Sequence, residues 1–281
     1  RRASAAGCAR LEPMRIGRER GSETRRAGTI RDLYRFAGQK AVKSGCMKTP
    51  PPFIVLISAD SEWKAVVDLI RPAETRSTPF GAAFFSQLGK HTLLMAHSGW
   101  GKTATAAACQ HLIDLHQPQL ILNLGTCGGL EGRAEVGEVL LPEETAMYDI
   151  VEGMSAYSEA LAYYHTRADL GWLPAKLPPG VRRTRIVSAD QDIQPCNVVL
   201  IANYFHAPAA DWESAAFAWT AAKNKTPWLI LRGVSDLVSS ERSEAYQNAA
   251  LWQQRAAQIM ARLLALLPWF LDRFPAVPDS D

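Results

Sequence analysis

The chain has 281 residues, 47% of them hydrophobic and 21% charged, the balance of a soluble globular protein with room for a substantial core. Its longest apolar region near the C-terminus, residues 259–271, is interrupted by Arg262 and Pro268, and no run approaches the ~20 apolar residues of a bilayer span, so a membrane protein is not expected. The net charge of +3 hides an asymmetry: residues 1–46 carry ten Arg and two Lys against Glu12, Glu19, Glu23 and Asp32, 12 − 4 = +8, which leaves 3 − 8 = −5 for residues 47–281. A mildly acidic body argues against a nucleic-acid-binding surface.

Residues 1–46 lack apolar periodicity and read as a basic, mostly disordered extension ahead of one domain at 47–281. A targeting peptide, a basic arm and translation from Met47 are all open readings of it. Five cysteines, Cys8, Cys46, Cys109, Cys127 and Cys196, are an odd number without CxxC spacing. They indicate neither a disulfide framework nor a zinc site, and reduced thiols of a cytoplasmic protein are the simplest account. His111 and His116 are five residues apart and do not share a helix face, so no metal site is expected from them.

Phe53–Ile57 reads as a buried strand that delivers SADSEW, with Glu62, to the carboxyl edge of a sheet and into a helix. Residues 79–88 and 91–96 form a hairpin about Gly89 and Lys90. The second of these strands ends in HSGWGKT, and a helix follows whose close-packed face is marked by Ala104, Ala106, Ala107, Ala108, Leu112, Ile113 and Leu115. Gly101-Lys102-Thr103 imitates the end of a phosphate-binding loop, but Ala96 stands where the strict pattern has Gly. The next strand ends in Asn123 where a nucleotide hydrolase needs a magnesium-holding acid. NLGTCGG then reads as a glycine-rich turn, its amides free to approach a ligand. Cys127 within it has no neighbouring base and is expected to fill space.

Residues 150–182 are irregular, with a helix near 158–166. Thr184 to Ser188 is a strand ending in SADQDI. In ADWESAAFAWTAAKNKTPWLILRGVSDL, Glu213 opens a small-residue helix, Pro227 breaks the chain, and a buried strand carries Ser235 and Asp236 to the sheet edge where α/β ligands bind. Helix capping is the bland reading of those two acids. Residues 241–274 have helical apolar spacing and should cover one sheet face.

Taken in order, IVLISADSEW, SGWGK, ILNLGTCGGL with VGEVLLP, and ADWESAAFAW through LRGVSDL resemble the nucleoside phosphorylase and nucleosidase superfamily, especially the 5′-methylthioadenosine/S-adenosylhomocysteine nucleosidases. The resemblance covers most of residues 53–238. It implies a three-layer α/β/α sandwich around a central mixed, twisted sheet, a homodimer, no cofactor and a small-molecule nucleoside substrate. It also implies roles: Glu62 activates the attacking water with help from Arg232 and Thr126, Glu213 holds the ribose hydroxyls, and Asp236 protonates purine N7. Trp212 lies against the sugar, Trp100 lines the pocket near the 5′ substituent, and Gly128, Ile193 and Ser235 complete the substrate site.

The chemistry asks for these residue types independently. Breaking an N-glycosidic bond leaves the sugar cationic and the purine anionic, so the base needs an acid and the water a carboxylate. One position departs from the family: Asp192 stands where a base-stacking aromatic is expected, and Trp63 or Trp212 is the candidate replacement. A phosphorylase and a catalytically silent nucleoside-binding relative are the alternatives. The phosphorylases of this superfamily carry an Arg where this chain has Asn123, which favours hydrolysis.

Overall fold

The computed structural model describes residues 53–154, 157–242, 244 and 249–275. The elements run β1 (Phe53–Ile57), α1 (Asp60–Ile70), β2 (Arg76–Thr78), β3 (Gly81–Leu88), β4 (His91–His97), α2 (Gly101–His116), β5 (Leu120–Leu130) and β6 (Val139–Met147). They continue with α3 (Tyr157–Tyr163), β7 (Thr166–Arg167), β8 (Val181–Ser188), β9 (Ala209–Asp211), α4 (Ser214–Lys223), β10 (Trp228–Val238) and α5 (Ala249–Leu271).

Side-chain alternation along β1 sets the layers. Phe53, Val55 and Ile57 share a core with α1 and α5, built on Val66, Ile259, Leu263, Leu264 and Leu267. Ile54 and Leu56 point the other way, into a core with Leu112, Phe217, Ala218 and Ala221 from α2 and α4. Both faces of β1 are therefore fully buried, which explains its uninterrupted apolar run. Each such side chain contributes about 1.5–3 kcal/mol on burial.

The strand order is β10-β6-β8-β9-β5-β1-β4-β3-β2, with β10 also pairing β5 and β7 pairing β6. Parallel pairs join β1 to β4 and β5, β5 to β10, β6 to β8 and β8 to β9. Antiparallel pairs join β2 to β3, β3 to β4, β5 to β9, β6 to β7 and β6 to β10. The result is the expected mixed sheet between helical layers. Because β10 touches both β5 and β6, strands β5, β10, β6, β8 and β9 close on one another, and their ends converge on the candidate site.

Several expectations need correction. NLGTCGG is strand throughout, because β5 pairs with β10 from Ile121 to Leu130 and with β9 at Gly128 and Gly129. Its glycines serve close approach within the sheet. Leu115 lies on the solvent side of α2 at 62% exposure, whereas the buried face is Thr105, Ala108, Cys109, Leu112 and Ile113, one stripe at helical spacing. The helix expected near 158–166 is Tyr157–Tyr163, and Thr166 joins β7. Of the C-terminal helix the described part is Ala249–Leu271, residues 243 and 245–248 lie outside the described residues, and Glu241 and Arg242 turn back so that both N–H groups reach Ser239 Oγ. Residues 1–46, with Cys8 and Cys46, lie outside the described residues. Among the described residues no helix is long and apolar enough to cross a membrane.

Candidate active site

Glu62 enters from the first turn of α1, only 2% exposed. Its Oε2 accepts the Ala59 N–H at 3.3 Å, the glutamate half of a capping box. Its Oε1 accepts both the N–H and the hydroxyl of Thr126, at 2.6 and 2.7 Å. Burial pushes the Glu62 carboxyl up, against the pull of Arg232 and of these hydrogen bonds.

Arg232 is completely buried on β10, paired in register with Gly125 of β5. Its guanidinium lies across that glycine: a Cβ on Gly125 would sit 1.9 Å from Nη1 and 3.0 Å from Glu62 Oε2. Any side chain there would force the guanidinium to move. Nε reaches Asp211 Oδ2 at 2.7 Å and donates to Ser214 Oγ at 2.9 Å. Nη2 donates to Asn123 Oδ1 and lies 3.6 Å from Glu213 Oε2. Nη1 is buried with no hydrogen-bond partner among the described residues.

Asp211 anchors the network at the end of β9. It accepts the Ser188 hydroxyl at 2.5 Å, the N–H groups of Glu213 and Ser214 at 3.2 and 3.1 Å, and the Ser214 hydroxyl. It thereby caps α4 and ties that helix to Arg232. Glu213 is 8% exposed, and its Oε1 accepts the Gly101 N–H at 3.1 Å. Burial pushes the Glu213 carboxyl up to about 8; Arg232 opposes this, while Asp211 and Glu62 add to it.

A second group forms where β10 bulges between Val234 and Asp236. Ser235 is the extra residue, and its hydroxyl lies 2.6 Å from Asp236 Oδ1 and 3.2 Å from the Cys127 carbonyl. Asp236 pairs in register with Gly128, and Ile193 covers that glycine so closely that a Cβ would meet its Cδ1 at 2.9 Å. Burial raises the Asp236 carboxyl most; the Ser235 hydrogen bond and Arg255 oppose it, while Glu244 and Asp192 reinforce it. Cys127 lies between the two groups. Burial and the charges of Asp211, Asp236 and Glu62 push its thiol far up, so it stays protonated and is no nucleophile.

The remaining candidates lie at the rim. Trp212 Nε1 donates to Asp192 Oδ1 at 3.3 Å, and Asp192 is exposed. Trp100 immediately precedes α2 but is 63% exposed and joins neither group. Trp63 stacks on His97 with centroids 5.4 Å apart and packs into the α1–α5 core, which removes it as a stand-in for the missing aromatic. Among the described residues no group of three or more His, Cys, Asp or Glu is arranged to hold a metal. Asp211, Ser214, Gly125 and Asn123 were missed as site residues by the sequence reading; Asp211 carried a signal, as an acid three residues before a helix residue it caps.

A family model for the Phosphorylase superfamily matches residues 53–265, spanning every element that bears these side chains. The chain belongs to the Phosphorylase superfamily. Within it, the 5′-methylthioadenosine/S-adenosylhomocysteine nucleosidase of Bacillus thuringiensis (strain Al Hakam) is 24% identical over 219 residues, 69% of this chain and 89% of that protein. The corresponding Neisseria meningitidis enzyme, in complex with methylthio-immucillin-A, superposes with a TM-score of 0.63 at 23% identity, covering 77% of this chain and 97% of its own. A futalosine hydrolase mutant of Helicobacter pylori strain 26695 also reaches 0.63, at 16% identity over 77% and 98% of the two chains. These structural likenesses speak to the shared superfamily fold.

Proposed function

We propose that this protein is a purine nucleosidase that hydrolyses the N-glycosidic bond of an adenine nucleoside, preferring a 5′-thio substituent such as that of methylthioadenosine or S-adenosylhomocysteine. The observation that carries the reading is the separation of acids into two environments. Glu62 sits against Arg232 and Thr126, while Asp236 stands at the β10 bulge with its carboxyl raised by burial. In this reading Asp236 delivers a proton to N7 as negative charge gathers on the leaving base, and burial, which raises its carboxyl, favours the protonated form. Glu62 receives a proton from the attacking water. Glu213 accepts the sugar hydroxyls, and the carboxylates around the sugar favour its cationic transition state. The nucleosidase names of the relatives support the reaction type.

Phosphorolysis is the second reading, and the electrostatics disfavour it. The buried cation Arg232 is already engaged by Asp211, Asn123 and Ser214, and Glu62 and Glu213 face it. A phosphate dianion approaching Nη1, the guanidinium nitrogen without a hydrogen-bond partner among the described residues, would meet the charges of Glu62 and Glu213 beside it. The test is incubation with a nucleoside panel that includes methylthioadenosine, S-adenosylhomocysteine, inosine and futalosine, with and without phosphate, followed by identification of base and sugar. Free base with unphosphorylated sugar at a phosphate-independent rate is expected. Ribose 1-phosphate as product would overturn the hydrolytic assignment. The homodimer that the resemblance implies is a further proposal, checked by sedimentation.

A further inference from the structure

The lysine of the Gly101-Lys102-Thr103 segment has a use unrelated to phosphate. Lys102 is 14% exposed, and its Nζ lies 2.5 Å from both carboxylate oxygens of Asp149 and 3.7 Å from Asp190 Oδ2. The same residue's backbone N–H donates to Asp190 Oδ1 at 2.8 Å, and the Asp190 N–H donates to Asp149 Oδ2 at 3.1 Å. Three segments distant in sequence are thus knotted together: the start of α2, the chain leaving β6 and the chain leaving β8. The knot adjoins Gly101, whose φ is +81°, where a Cβ would fall 2.9 Å from Asp190 Oδ1. A side chain there would be strained by the backbone and blocked by the carboxylate. The Gly101 N–H, held in this way, is the backbone donor to Glu213 Oε1.

We propose that Lys102 is a positioning residue: by clasping Asp149 and Asp190 it fixes the first turn of α2 so that the Gly101 N–H orients Glu213 for the sugar. This rests on the proposed role of Glu213 as the ribose ligand. An ammonium spent on both oxygens of one carboxylate is not free to cradle a phosphate. Misplacement of a binding group by about 1 Å is enough for a ~100-fold effect, so loosening this turn should be felt specifically at the hydroxyls that Glu213 accepts.

The experiment is calorimetric binding of an adenine C-nucleoside, which cannot be cleaved, beside its 2′-deoxy and 3′-deoxy counterparts. Lys102→Met and Asp149→Asn should weaken the ribonucleoside about 10- to 100-fold and the deoxynucleosides much less, so that ribose selectivity collapses. Lys102→Arg should restore part of it. In a Glu213→Gln background Lys102→Met should add no further loss of selectivity, because both act through one contact. Equal weakening of all three ligands, or unchanged selectivity in folded Lys102→Met, overturns the proposal; if that variant does not fold, Asp149→Asn and Lys102→Arg decide by the same ratio. Wild-type protein that binds the ribonucleoside selectively but releases no base from any nucleoside would sink the proposed function alone. Wild-type protein that binds none of the three ligands would sink both.

Discussion

Replacing Glu213 by glutamine is expected to stabilise the protein increasingly as pH rises from 5 to 8, although it removes a carboxylate beside Arg232. Glu213 is 8% exposed and its carboxyl is raised from an ordinary 4.5 to about 8, chiefly by burial. A group raised in the folded state contributes stability that is fully present below its unfolded value. That contribution is lost as pH rises through the folded value, because the unfolded chain ionises first. The loss runs at about 1.4 kcal/mol per pH unit, which over the interval from 4.5 to about 8 sets a ceiling of about 5 kcal/mol. Glu213 shares its surroundings with Asp211, Glu62 and Arg232, so their titrations are coupled and the realised difference falls below that ceiling. A glutamine of the same shape does not titrate and escapes the loss. Urea unfolding of both proteins at pH 5, 6, 7 and 8, each fitted for midpoint and slope, should give a stability difference that widens in favour of Glu213→Gln. A difference flat across that range would mean that Glu213 is an ordinary paired carboxylate when folded, and would refute the account of the site given above.

Three other substitutions probe the reading. Asp236→Asn should lower base release by about 100- to 10,000-fold, the usual share of general acid catalysis; near-normal turnover in a folded variant would remove Asp236 as the acid. Gly125→Ala puts a methyl group 1.9 Å from Arg232 Nη1, and should lower stability by about 1–3 kcal/mol or more and activity with it, while an unchanged melting temperature and turnover would show that the guanidinium does not need that space. Asp192→Phe should tighten adenine-nucleoside binding, by about 1–3 kcal/mol if base stacking follows its behaviour in nucleic-acid complexes, and weaker binding in a titration would mean that Asp192 itself, with its Trp212 partner, contacts the ligand.

The layers of this fold were legible because buried parallel strands and small-residue helices leave strong patterns: the bounds of β1 and the Gly89–Lys90 hairpin appear where the residues put them. NLGTCGG was misread because glycine has two uses with one appearance, chain reversal and close approach, and only the crossing of Arg232 and Ile193 over Gly125 and Gly128 tells them apart. The candidate site was legible residue by residue but not as a network. Asn123 was read for the charge it lacks, whereas its carbonyl accepts from Arg232 and its amide donates to the Leu56 carbonyl at 3.0 Å. Asp211, two residues before Glu213, drew no notice in the sequence, yet it pairs with Arg232 and accepts the N–H groups of Glu213 and Ser214. Spacing along the chain carries no information about which of several acids a buried guanidinium will choose.

That choice determines where a proton resides in the ligand-free site. Asp211, Glu213 and Glu62 surround one guanidinium, and three buried carboxylates are not neutralised by a single cation. Asp211 collects donors from Arg232, Ser188, Ser214 and two backbone N–H groups. Glu62 has the Thr126 N–H and hydroxyl and the Ala59 N–H. Glu213 has the Gly101 N–H and Arg232 at 3.6 Å, and its carboxyl sits at about 8. Burial raises both Glu62 and Glu213, and Glu213, with fewer donors than Glu62, is the carboxylate on which the proposed reading puts the proton. A sugar bringing two hydroxyl donors to Glu213 favours its ionised form and should expel that proton. With a carboxyl raised to about 8, nucleoside binding should release protons at neutral pH, and fewer as pH rises through that value. Calorimetry in buffers of different ionisation enthalpy reads this release directly, and Glu213→Gln should abolish it. Binding without proton release at pH 7, or release that grows with pH, would place the proton elsewhere. If the release is found, the event that seats the sugar also leaves Glu213 anionic beside it, before the glycosidic bond begins to break and positive charge develops on the ring.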